Sequence, residues 1–156
     1  MVSGFETEMK PKEKRTIVII AEDDPDDRLL IQDALKEATN QSLEVHFVLD
    51  GAEMLDYLYR RGAYRDGQKS PVPELVLLDI NMPKKSGLEV LEEIKKDPAL
   101  RTIPVVLLTT SRAPEHIARS YELGGAGFVT KPSSFTELVD LMRSIERYWF
   151  NTVELP

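Results

Sequence analysis

Five short apolar runs alternating with amphipathic segments predict an α/β fold: a doubly wound, five-stranded parallel sheet covered by helices on both faces. Three observations carry this expectation. The runs are continuous rather than alternating, the mark of strands buried on both faces. The segments between them repeat apolar residues at helical spacing. Acidic, hydroxyl and lysine residues gather where four of the runs end.

Residues 1–14 are polar and mixed in charge, with Gly4 and Pro11 as breakers, and read as a flexible arm. The run 16–21 (TIVIIA) is the first strand. Pro25 suits a first helical turn, and Leu30, Ile31, Ala34, Leu35 and Ala38 continue that helix. The second strand is expected over 43–49. Asp50 and Glu53 have capping-box spacing ahead of Met54, Leu55, Leu58 and Tyr59, with Gly62 expected to end the helix. Gly67, Pro71 and Pro73 mark a loop.

The third strand is 75–78 (LVLL), ending in Asp79. Ser86 and Glu89 form a second capping-box pair, before a stripe of Leu88, Leu91 and Ile94. The fourth strand is expected over 103–108. Pro114 opens a helix that Gly124 closes, and 127–130 (GFVT) is a short fifth strand. Ser134 and Glu137 cap a last helix striped by Leu138, Leu141, Met142, Ile145 and Trp149. One domain over 15–148 and a tail over 149–156 complete the reading.

The chain has 156 residues, no cysteine and a net charge of −7. Disulfides and thiolate metal sites are therefore excluded. Nucleic acid is not an expected partner, because polyanions are bound by clustered Lys and Arg. No run has the length of a membrane-spanning helix, and no signal-peptide pattern opens the chain. The expected setting is cytoplasmic, without membrane.

In open parallel sheets, ligands bind beyond the carboxyl ends of the strands, where the strand order reverses. With the order 2-1-3-4-5, the ends bearing Glu22, Asp23 and Asp79 are neighbours, and Thr109 and Lys131 adjoin them. Crowded carboxylates repel one another, and a hard divalent cation relieves this. Mg²⁺ takes oxygen ligands, commonly one or two carboxylates with waters and a phosphate. The expected ligands are Asp23, Asp79 and the backbone carbonyl of Asn81, with a water held by Glu22. Lys131 supplies positive charge and Thr109 a hydroxyl donor, as phosphoryl transfer requires. A carboxylate can itself be the nucleophile and become an acyl phosphate.

Glu22-Asp23, the segment Asp79-Ile80-Asn81-Met82-Pro83 with Gly87 after it, Thr109, Phe128 and Lys131-Pro132 resemble the receiver domain of two-component response regulators. The resemblance runs from about Thr16 to about Arg147. It implies that Asp79 accepts phosphate from a histidine kinase, that Thr109 follows the phosphate, and that Phe128 is the switch aromatic. It also implies a cis peptide joining Lys131 to Pro132. The loop after the second helix, the run 107–111 (LLTTS) and the tail 153–156 (VELP) are similar to stand-alone regulators paired with bacterial phytochromes. That similarity implies a chain without an output domain, a phytochrome-type kinase partner and a homodimer.

Simpler readings stand beside these. Asp24 caps the first helix, and Asp26 and Asp27 are helix-start charges suited to the macrodipole. His46 and His116 lack a second ligand at metal-site spacing. Tyr148, Trp149 and Phe150 pack on their own domain or meet a partner. Arg60, Arg61 and Arg65 form at most a small basic rim. A haloacid-dehalogenase-type hydrolase would carry a second Asp two residues after the nucleophile, where Asn81 stands. A nucleotide- or flavin-binding module would need a phosphate-cradling glycine loop, where Glu22-Asp23-Asp24 stands. An unphosphorylatable scaffold would lack an acidic or lysine residue that this chain keeps. The chain is expected to turn over no substrate beyond its own phosphoryl group.

Overall fold

The computed structural model describes residues 16–38, 43–66, 70–110 and 112–151, with residues 150 and 151 described by their backbone alone. The expected arm, Ser111 and the segment 153–156 lie outside the described residues. Five strands alternate with five α-helices: β1 (Thr16–Ala21), α1 (Pro25–Ala38), β2 (Leu43–Val48), α2 (Gly51–Tyr59), β3 (Leu75–Leu78), α3 (Gly87–Lys96), β4 (Val105–Thr109), α4 (Pro114–Glu122), β5 (Gly127–Thr130) and α5 (Phe135–Asn151). The strands form one parallel sheet in the order β2-β1-β3-β4-β5. The fold is the flavodoxin-like arrangement expected from the sequence.

Side chains along a strand alternate between the faces, so each central strand feeds two cores. Val18, Ile20, Leu75, Leu77, Val106 and Leu108 face α1 and α5, where they meet Ile31, Ala34, Leu35, Leu138, Val139, Met142 and Ile145. Ile19, Ala21, Val76, Leu78, Val105 and Leu107 face α2 and α3, against Met54, Leu55, Val90, Leu91 and Ile94. Burying one such side chain contributes about 1.5–3 kcal/mol. Two full layers thus fix the sheet and, with it, the positions of the strand ends. Among the described residues, no helix is long and apolar enough to cross a membrane.

Several boundaries differ from expectation, each for a local reason. β2 stops at Val48 because the Leu49 N–H donates to the Glu53 side chain. β4 begins at Val105 rather than Ile103: the Ile103 N–H closes a turn on the Leu100 carbonyl, and Pro104 has no N–H to give. α2 ends before Gly62. Arg60 adopts the left-handed conformation instead (φ 55°), and the Arg61 N–H reaches back to the Asp56 carbonyl at 2.8 Å, a Schellman-type closure. α5 runs to Asn151, two residues past Trp149, the last residue of its expected stripe. Leu30 lies 45% exposed, off the buried stripe of α1.

Candidate functional site

Four of the five strand ends at the carboxyl edge of the sheet contribute a polar side chain to one site. β1 runs into Glu22, whose N–H continues the ladder to the Val48 carbonyl at 3.0 Å. That bond draws Glu22 inward, leaving it only 1% exposed. Asp23, next along, is exposed. Asp24 then caps α1, accepting from the N–H groups of Asp26 (2.8 Å) and Asp27 (3.3 Å). This fixes where the acidic pair ends and the helix begins.

Asp79 follows β3 and is buried. Its Oδ1 accepts from the backbone N–H of Asn81 at 3.0 Å. The chain turns sharply here, with the Gly87 N–H donating to the Ile80 carbonyl at 3.0 Å. A Cβ on Gly87 would lie 2.3 Å from the Asp79 carbonyl oxygen, so a glycine is required for α3 to start this close. Asn81 itself is exposed. Thr109, the last residue of β4, is fully buried, and its carbonyl accepts the Lys131 N–H at 2.8 Å.

That bond delivers Lys131 into the carboxylates. Its Nζ donates to Glu22 Oε1, to Asp79 Oδ2 at 2.9 Å and to Asp27 Oδ2 at 3.4 Å. Burial pulls the ammonium down, but its bonds to Glu22 and Asp79 outweigh this and hold it above the usual lysine range. Burial likewise pushes the Glu22 carboxyl up, despite the opposing bonds from Lys131 and the Asp24 N–H. Lys131 therefore stays charged, while burial disfavours the charged form of Glu22.

The ammonium bonds three carboxylates, and Asp23 adds a fourth beside two of them. Glu22, Asp23 and Asp79 each offer an oxygen, and these oxygens lie within 4.8 Å of one another. An all-oxygen donor set with excess negative charge suits a hard divalent cation.

The structure brings together Glu22, Asp23, Asp79, Thr109 and Lys131 at one edge, as expected. Phe128 sits on β5 opposite Leu107 of β4 and packs, partly buried, on the core under α2 and α3. One expectation is corrected: no cis peptide occurs among the described residues, so Lys131–Pro132 is trans. Trans is the lower-energy isomer of an X-Pro bond, and from it the Lys131 side chain already reaches Glu22, Asp79 and Asp27.

Asp27 is the residue that sequence reasoning missed. It reads locally as a helix-start charge. Its second role depends on a lysine 104 positions away, and only its spacing on α1, one turn after Asp23, hints at it. His46 pairs with Glu44 at 2.7 Å, away from the site. Of the arginine rim, Arg61 is taken up by Asp56 (3.3 Å) and by the Tyr59 ring.

A family model described as the response regulator receiver domain matches residues 18–143. The response regulator Rcp1 of Synechocystis sp. is 40% identical over 140 residues, spanning 90% of this chain and 92% of Rcp1. The crystal structure of the Mn²⁺-bound form of Rcp1 has a TM-score of 0.80 at 39% identity, over 90% of this chain and 99% of that one. The crystal structure of the phosphorylated cyanobacterial phytochrome response regulator RcpA has a TM-score of 0.83 at 40% identity, over 91% and 99%.

Proposed function

The chain belongs to the response regulator receiver family, and from that premise we propose that it is a single-domain switch thrown by phosphorylation of Asp79. The observation that carries this reading is the buried Asp79 carboxylate, held between Lys131 and the Asn81 N–H and flanked by Glu22 and Asp23. A carboxylate oxygen of Asp79 attacks the phosphorus of a phosphohistidine. The P–N bond breaks as the P–O bond forms, and the histidine leaves as neutral imidazole after taking up a proton. Lys131 and the Thr109 hydroxyl are the donors for the phosphoryl oxygens.

Asp23, Asp79 and the Asn81 carbonyl are the proposed Mg²⁺ ligands, with Glu22 orienting a water on the ion. When bound, Mg²⁺ neutralises charge on the phosphoryl oxygens. The site processes only its own phosphoryl group, so the protein is a switch rather than a turnover enzyme. Hydrolysis returns Asp79 to a free carboxylate and releases inorganic phosphate.

Phosphorylation shifts a two-state equilibrium, which Thr109 and Phe128 carry to the face of α4, β5 and α5. The weak anchoring of α4 supports this route, since Ser120 is its one fully buried side chain. The donor is a sensor histidine kinase of the bacterial phytochrome type, a reading supported by the likeness to RcpA. A homodimer through the α5 surface is part of the same proposal, because Tyr148 stands 56% exposed there.

Incubation with a phosphorylated bacterial phytochrome kinase tests the reading. Label is expected on the wild type and absent from Asp79→Asn. No transfer to the wild type, while the kinase labels its own regulator, would overturn the partner assignment.

A further inference from the structure

A lysine ammonium has three N–H donors and no more. In this protein all three are engaged, by Glu22, Asp79 and Asp27. If Asp79 carries a phosphoryl group, as proposed above, Lys131 must turn a donor toward the new oxygens, and one present partner must yield.

The three partners are not equally able to do so. The Glu22 side chain is 2% exposed, so releasing it would leave a buried anion without its cation. Asp79 is the group being modified. Asp27 makes the longest contact, 3.4 Å, and its side chain is 42% exposed, so water can replace the ammonium. Asp27 also sits on the first turn of α1, where its backbone is already fixed by the Asp24 cap. Its carboxylate is therefore held near the lysine by the helix start.

We propose that Asp27 is a positioning residue that competes with the Asp79 phosphoryl group for Lys131 and so slows phosphorylation of the site. The proposal rests on the phosphoacceptor reading of Asp79. It acts through Lys131: while Asp27 holds one donor, less positive charge reaches an incoming anionic phosphodonor.

The test is the initial rate of Asp79 phosphorylation by acetyl phosphate at saturating Mg²⁺, followed by intact mass. In that reaction the bond from an Asp79 oxygen to phosphorus forms as the bond to the acetyl oxygen breaks, and acetate leaves. Asp27→Asn removes the charge without changing the shape of the side chain and is expected to raise the rate about two- to five-fold, the range of a partly exposed ion pair.

Two companions separate charge at Lys131 from general effects. Asp27→Glu keeps the carboxylate and should restore a rate near the wild type. Asp26→Asn removes a neighbouring charge that makes no ion pair with Lys131 and should leave the rate unchanged. An unchanged or lowered rate in Asp27→Asn overturns the proposal. So does an equal rise in Asp26→Asn, which would indicate only the general field, or a rise in Asp27→Glu as large as in Asp27→Asn. Absence of labelling in the wild type would instead be a failure of the phosphoacceptor reading, and labelling of the wild type with any of these outcomes separates the two.

Discussion

Glu22 sits in an environment that disfavours its charge. Burial raises its pKa above the ordinary carboxylate value, so the folded protein binds its proton more tightly than the unfolded chain does. The stability this proton supplies is full below the ordinary glutamate range and is lost as pH rises through it to the raised value. In a chelator, urea midpoints of the wild type should therefore fall from about pH 4.5 upward relative to those of Glu22→Gln, and the variant should be the more stable at pH 7. A wild type as stable as the variant at pH 7 would contradict this. Tyr57 gives a second pH test. Burial, then the charge of Glu44, pushes its hydroxyl up to about 12, and it donates to the Pro71 carbonyl at 2.8 Å. Its contribution is present below pH 10 and is lost between about 10 and 12. The alkaline fall in stability should be steeper in the wild type than in Tyr57→Phe. At Gly87, alanine would press a methyl group against the Asp79 carbonyl. Gly87→Ala should cost about 1–3 kcal/mol in chemical denaturation and slow phosphorylation, because Asp79 or the start of α3 must move.

Helix ends are where local sequence and tertiary structure agree best, and also where they part. Ser86 and Glu89 form the expected reciprocal cap at 3.2 and 3.1 Å, and Ser86→Ala should cost about 1 kcal/mol. That cap was legible because every group it needs lies within four residues. The Asp50–Glu53 pair was half legible. Asp50 accepts the Glu53 N–H at 2.8 Å, but the Glu53 side chain also answers to Tyr64 at 3.0 Å. The end of α2 was not legible, since a glycine stood two residues beyond the left-handed position that Arg60 occupies. Asp27 escaped for the opposite reason: its local role is satisfied, and its second partner comes from beyond β5. The trans bond before Pro132 was likewise invisible, because the sequence shows a proline but not the isomer that tertiary contacts select.

At the scale of the whole molecule, the alternation of strands and helices was readable from apolar periodicity, while the sheet order that brings the strand ends together was readable only through the resemblance carried by the motifs. The pairing of Asp79 with Lys131 spans 52 positions. It became readable through the rule that parallel sheets gather ligand groups at their carboxyl edge, joined to the resemblance carried by the motifs. What periodicity leaves open is which of several acids at that edge turns inward, and the ladder bond of Glu22 to Val48 decides it. The same architecture makes α4 the least anchored helix. Phosphorylation should then alter amide exchange in α4, β5 and α5, and Phe128→Ala should abolish that change while leaving phosphorylation intact. The most direct test of the account is intact-protein mass after incubation with Mg²⁺ and acetyl phosphate, run beside Asp79→Asn. The wild type alone should gain one phosphoryl group, reversed by hydroxylamine as an acyl phosphate is. A wild type that stays unlabelled while a control receiver is labelled, or an equal gain in Asp79→Asn, would contradict it.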